Sequence, residues 1–237
     1  MGAGTRSDTK ESMHARVDTD AEQRKVTCLL CRGRTEPFAQ AHGRSYHRCG
    51  TCGLVFLDPA LRLEPTEERA RYETHENDPD DPRYRAFLER LAGPLAEKVT
   101  PGAVGLDYGS GPGPTLSVMF VERGFQMMKY DPYFAPDMEV LERRYGFVAC
   151  TETAEHFYDP GFELERLARL LLPGGWLGVM TGVLHDDIAF EDWWYVRDPT
   201  HVCFYAPETF RWIAERYGWR LLTPSRNVVL FQRPGRS

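Results

Sequence analysis

The sequence predicts an α/β fold, a sheet of buried strands flanked by helices, with a small cysteine-rich module ahead of it. Three observations lead there. A strand-like run, Val104-Gly105-Leu106-Asp107-Tyr108, breaks into the turn Gly109-Ser110-Gly111-Pro112-Gly113, and Pro114 follows at the head of an apolar helical stretch. Strand-type and helix-type runs then alternate to about residue 233. Near the start, Cys28, Cys31, Cys49 and Cys52 form two C-x2-C pairs, whereas Cys150 and Cys203 stand apart as buried small hydrophobes. The 237 residues suffice for one α/β domain plus a small module, and the 42% hydrophobic content can supply a core.

In chain order, residues 1–24 are polar and carry no apolar signal segment, so a disordered tail is expected. Residues 25–57 form the cysteine module. Two C-x2-C pairs at this separation suit one tetrahedral Zn²⁺ held by four thiolates at about 2.3 Å. The closed shell makes the zinc structural. His42 and His47 are alternative ligands, though four thiolates already suffice. Disulfides would need a secretory context. The module is locally basic: Arg24, Lys25, Arg32, Arg34, Arg44 and Arg48 against Glu36. These charges either touch a phosphate-bearing substrate or RNA, or offset the anionic metal centre, the second being preferred.

Residues 58–99 read as a helical linker or cap. One helix is expected over 64–73. A second starts with Asp81 as N-cap and Pro82 at its first position. Its apolar face is Tyr84, Phe87, Leu88, Leu91 and Leu95, and Gly93-Pro94 should bend or divide it. Tyr72 and Tyr84 either reach the site or serve as core aromatics.

Residues 100–237 form the main domain: strand 103–107, helix 114–123, strand 125–130, a short helix 137–145, strand 147–151, helix 162–172, strand 176–181, an aromatic loop 185–205, helix 207–217 and two closing strands, 219–223 and 227–233. Only residues 132–146 separate the second strand from the next. A further strand with its crossover does not fit there.

The glycine turn lets backbone approach a ligand without a Cβ in the way. Gly109, Gly111 and Gly113 do not match the dinucleotide fingerprint, which would place its third glycine at 114. The pattern is instead D-x-G-x-G-x-G, with Asp131 at the tip of the second strand, where a ribose diol is held. Downstream stand Thr151-Glu152-Thr153-Ala154-Glu155-His156-Phe157 and Leu171-Leu172-Pro173-Gly174-Gly175-Trp176-Leu177. In this order, the segments resemble the class I S-adenosylmethionine-dependent methyltransferases over roughly residues 96–232. The resemblance implies a Rossmann-like sheet, here without its third strand, and S-adenosylmethionine as cofactor. It implies Asp107, Gly109, Gly111, Gly113, Asp131 and Glu152 as cofactor-binding residues. The loss of the third strand removes the usual adenine-binding acid, and Tyr133 with Phe134 could sandwich adenine instead. The zinc module makes the sequence similar to bacterial zinc-containing small-molecule methyltransferases, including sugar C-methyltransferases.

Acceptor deprotonation calls for a base with pKa near neutral. His156, with Glu155 beside it, is the first candidate and His201 the second. The expected function is methyl transfer to a small-molecule acceptor. The alternatives are an RNA methyltransferase that binds substrate through the ribbon, and a cofactor-binding adaptor without activity. A net charge of −6 weighs against a broad nucleic-acid face. No apolar run approaches the ~18 residues of a membrane span, and a cytoplasmic location is expected. Oligomeric state is left open.

Overall fold

The computed structural model describes Met1, residues 26–74 and residues 77–235. The expected tail, Met1 apart, lies outside the described residues, as do Arg24 and Lys25 of the basic set.

The large sheet has six strands. Four run parallel: β4 (Val104–Tyr108), β5 (Gln126–Tyr130), β6 (Tyr145–Thr151) and β7 (Leu171–Met180). The hairpin of β9 (Arg220–Ser225) and β10 (Val228–Gln232) closes the sheet, with β10 antiparallel to both β7 and β9. The order is β5-β4-β6-β7-β10-β9. Among the described residues no strand lies outside β5, which forms a half-exposed edge where the third strand was expected to be missing.

The second sheet, β1 (Thr35–Ala41), β2 (Arg44–Cys49), β3 (Val55–Leu57) and β8 (Cys203–Phe204), is antiparallel. Its fourth strand comes from the aromatic loop of the main domain. Cys28, Leu54, Val55 and Phe56 are buried in one continuous core with Leu106, Val148 and Phe204. The cysteine module is therefore built onto the sheet domain and shares its core.

Five helices complete the described fold: α1 (Pro65–Tyr72), α2 (Pro82–Ala96), α3 (Thr115–Glu122), α4 (Pro160–Leu170) and α5 (Pro207–Tyr217). Asp81 caps α2 by accepting from the Arg83 N–H, and Gly218 ends α5 in the left-handed conformation. Three expectations need correction. Gly93-Pro94 does not divide α2, which runs on through Pro94 because Leu88, Leu91, Ala92 and Leu95 bury one face against the sheet. The short helix expected over 137–145 is a 3₁₀ segment, Met138–Glu142, because Tyr145 is drawn into β6 opposite Leu171. The helix expected over 162–172 starts earlier and stops at Leu170. Pro173 disfavours helical backbone at the residue before it, and Leu171 already belongs to β7.

Candidate active site

A cavity of about 670 Å³ opens at the carboxyl ends of β4, β5 and β6, where open α/β sheets bind ligands. All ten sequence-predicted cofactor and catalytic residues line it: Asp107, Gly109, Gly111, Gly113, Asp131, Tyr133, Glu152, Glu155, His156 and His201. The volume falls within the range of small-molecule sites.

The glycine turn leaves β4 with Gly109 and Ser110 both donating backbone N–H groups to the Tyr130 carbonyl, at 2.8 and 3.2 Å. Gly109 has φ +79°, and a Cβ there would lie 2.2 Å from the Thr153 side chain. A Cβ on Gly113 would lie 2.2 Å from the Asn77 carbonyl. Only glycine allows the 77–81 loop and the β6 turn to close so tightly over this backbone. Asp107 is buried and accepts from the Ser117 hydroxyl at 2.9 Å; burial pushes its carboxyl up to about 6 against that hydrogen bond. Asp131 accepts from the N–H groups of Gly111 (2.9 Å), Tyr133 (2.8 Å) and Phe134 (3.0 Å), which lock the second strand's tip to the glycine turn. These features fit a nucleoside-bearing cofactor: a backbone cradle that a Cβ would fill, beside an oriented carboxylate.

Tyr133 and Phe134 both line the cavity, but their rings meet at 61° with centroids 6.4 Å apart. They do not offer the parallel faces of an adenine sandwich. The Tyr133 hydroxyl donates to buried Glu68 at 2.8 Å, and Tyr72 donates to the same carboxylate at 2.7 Å. Tyr72 in turn meets the His156 ring edge to face at 5.1 Å. The cap is thus wired to both ends of the cavity. Glu152 has φ +48°, rare for a residue with a side chain. Burial, then the nearby Glu155 charge, pushes its carboxyl up to about 9.

At the far end, the turn Ala154–His156 follows β6. The His156 Nδ1–H donates to the Thr200 carbonyl at 3.0 Å, and the His201 Nδ1–H to the Tyr195 carbonyl at 2.7 Å. The two rings meet at 4.9 Å. Glu155 is fully buried; it accepts from the Thr181 hydroxyl at 2.8 Å and from the Tyr195 hydroxyl. The aromatic loop divides its labour. Trp194, 68% exposed, and Tyr195 line the cavity, whereas Trp193 stacks on Tyr195 and Tyr205 is core, donating to the Ala154 carbonyl. Tyr72 and Tyr84 also line it. Glu68 and Asn77 join the site without any sequence signal, because neither sits in a recognisable pattern.

The Sγ atoms of Cys28, Cys31, Cys49 and Cys52 lie within 4.8 Å of one another, all as free thiols. Backbone N–H groups of Cys31, Gly33, Thr51 and Cys52 point at these sulfurs at 3.3–3.5 Å, as knuckles around an anionic centre require. A hydrogen bond from Cys52 draws the Cys28 thiol down to about 5, while burial pushes Cys31 up to about 12. Four sulfurs gathered this closely are a donor set that fits a tetrahedral thiophilic cation. His47 is engaged with Asp58 at 3.2 Å and His42 sits in the β1–β2 turn, so neither joins the cluster. Three of the ribbon's arginines reach residues of the main domain, while Arg34 is exposed: Arg32 pairs with Asp159 at the surface, Arg48 pairs with Glu208, and Arg44 donates to the Val196 and Asp198 carbonyls.

Residues 74–223 match the family model described as a methyltransferase domain. The chain belongs to the S-adenosylmethionine-dependent methyltransferases. No curated protein matches the enzyme by sequence. Among solved structures it is similar to 1,6-didemethyltoxoflavin-N1-methyltransferase of Burkholderia thailandensis, at 14% identity and TM-score 0.48, over 84% of this chain and 99% of that one. It is also similar to an O-methyltransferase family protein of the same organism, at 15% identity and TM-score 0.49, over 75% of this chain and 64% of that one. No helix among the described residues is long and apolar enough to cross a membrane.

Proposed function

We propose that the enzyme methylates a small-molecule acceptor bound between the cap and the aromatic loop, and that its cysteine module is a structural zinc ribbon. The observation that carries this reading is that one cavity holds the glycine turn and Asp131 at one end and two oriented imidazoles at the other. We divide the chain accordingly into a ribbon (25–57), a cap (58–99) and a catalytic domain (100–237), and take the enzyme to be cytoplasmic.

At the cofactor end, Gly109, Gly111 and Gly113 would bring backbone against the amino-acid part, Asp107 braces the turn, and Asp131 would accept hydrogen bonds from the ribose hydroxyls. Glu152 and Tyr133, which line the same cavity, would border the nucleoside. S-adenosylmethionine supplies an electrophilic methyl group on a sulfonium, and alignment with water excluded is most of what the protein adds. His156 takes the acceptor's proton. Its Nδ1–H bond to Thr200 fixes the tautomer, leaving Nε2 as the basic nitrogen. His201 is held in the same way and stands behind it. Glu155, committed to two hydroxyls, anchors the turn that carries His156.

The small-molecule reading is supported by the ribbon itself. Arg44 and Arg48 are engaged by the catalytic domain and Arg32 is paired with Asp159, which leaves fewer of the ribbon's cations to grip a phosphate backbone. The test is to incubate the protein with methyl-labelled cofactor and, separately, a metabolite extract or total RNA. Label is expected in the low-mass fraction; label confined to RNA would overturn the reading.

A further inference from the structure

We propose that Glu155, His156 and His201 form a second metal centre, a three-ligand site for a divalent transition cation at the acceptor end of the cavity. Its open coordination positions would take an acceptor that chelates through two neighbouring oxygens, such as a 2-oxo or 2-hydroxy acid. This deepens the proposed function and rests on it for the acceptor's place in the cavity.

One ligand atom from each of the three side chains lies within 4.8 Å of the other two, and all three residues line the cavity. Both imidazoles spend Nδ1–H on a backbone carbonyl, Thr200 for His156 and Tyr195 for His201. That support fixes Nε2 as the free lone pair in each ring, the arrangement that metal-ligating histidines use. Glu155 is fully buried, and the described partners of its oxygens are the hydroxyls of Thr181 and Tyr195, with no arginine or lysine paired to it among the described residues. A carboxylate desolvated among neutral donors is costly, and a cation beside it removes most of that cost.

The ligands also share one frame. The Val202 N–H donates to the Glu155 carbonyl at 2.8 Å, and the Tyr205 hydroxyl to the Ala154 carbonyl at 3.0 Å. The 195–205 segment is therefore strapped to the 154–156 turn. By contrast, His185, Asp186 and Asp187 form no such cluster: His185 meets the Arg226 carbonyl and Asp187 pairs with Arg226, both exposed.

Two imidazoles and one carboxylate suit Zn²⁺ or Fe²⁺ and leave positions open, whereas the four thiolates of the ribbon form a closed shell. An acceptor chelated there loses its proton to solvent at a lower pH than it does free, its oxygen keeping the electron pair. Methyl transfer then proceeds as before, the C–S bond breaking as the new bond to the acceptor forms. With the cation seated, His156 serves as a ligand; without it, the Nε2 lone pair is the base.

The test titrates Co²⁺ into the full chain with its ribbon metal-loaded. A second equivalent is expected, with the visible bands of nitrogen–oxygen ligation and no thiolate charge-transfer band. His201→Gln and Glu155→Gln should each weaken it about 100-fold or more, beyond the loss typical of outer-shell changes. Cys28→Ser should remove the thiolate-bound equivalent and leave the second. No Co²⁺ bound beyond the ribbon's own equivalent of metal in the wild-type protein, or a second equivalent that neither His201→Gln nor Glu155→Gln weakens, would overturn the proposal. The wild-type stoichiometry decides even if a variant fails to fold. S-adenosylhomocysteine titrated into the same samples reports separately on the cofactor reading: binding without a second Co²⁺ removes the metal centre and leaves the methyltransferase intact.

Discussion

At the cofactor end of the cavity, the contacts come from backbone and from one short stretch of chain, Asp107 to Tyr133, held by N–H groups on Asp131 and by the Tyr130 carbonyl. At the acceptor end they come from side chains drawn from the 154–156 turn, the 194–201 loop and α1, tied through Thr181, Tyr195 and Thr200. The first end recognises what every reaction cycle shares and can be rigid. The second must fit one acceptor, and side chains from separate segments can change independently of the sheet. A single substitution should therefore strike one end and spare the other.

The most damaging change should be Gly109→Val. It combines a positive φ with a collision against Thr153, a cost on the order of 2–6 kcal/mol. Calorimetry should show loss of S-adenosylhomocysteine binding while thiolate-bound metal stays in the ribbon; retained affinity would break the division drawn here. Next, His156→Gln should lower kcat by about 10²–10⁴-fold, the usual worth of an acid–base group. Its affinity for S-adenosylhomocysteine should not change, and an equal loss of both would mean that the two ends are coupled.

A third variant, Glu152→Gln, reads the boundary between the ends through pH. The folded protein holds this carboxyl protonated up to about 9, against the ordinary 4.5. Between those values the unfolded chain has released the proton and the native state has not, so stability falls as pH rises. The substitution should raise Tm at pH 8 and leave it nearly unchanged at pH 4. A gain confined to low pH would reverse the sign. The smallest effect belongs to Arg48→Ala: its pair with Glu208 is partly exposed and should contribute under about 1 kcal/mol. Thermal melts should move little, and methylation should persist.

What was legible from residues alone follows the same division. The glycine turn, Asp131 and the cysteine pairs are short-range patterns; the fold brings Asp131 against the glycine turn and gathers the four sulfurs. The missing third strand was legible from length, since residues 132–146 are too few. Glu68 gave no signal, because an acid on a polar helix looks solvated until Tyr72 and Tyr133 close over it. Strand β8 was hidden in the aromatic loop, since a two-residue strand exists only through its pairing with β3. The role of Arg32 and Arg48 was equally hidden, because Asp159 and Glu208 are remote in sequence.

The most direct measurement of the central claim is a pair of calorimetric titrations of S-adenosylhomocysteine, into the wild-type enzyme and into Asp131→Ala. One site per chain is expected in the wild type. The variant should bind roughly 10–100-fold more weakly, as loss of hydrogen bonds to a charged group of about 1.5–3 kcal/mol implies. No binding to the folded wild-type enzyme, or equal affinity in the two proteins, would contradict it.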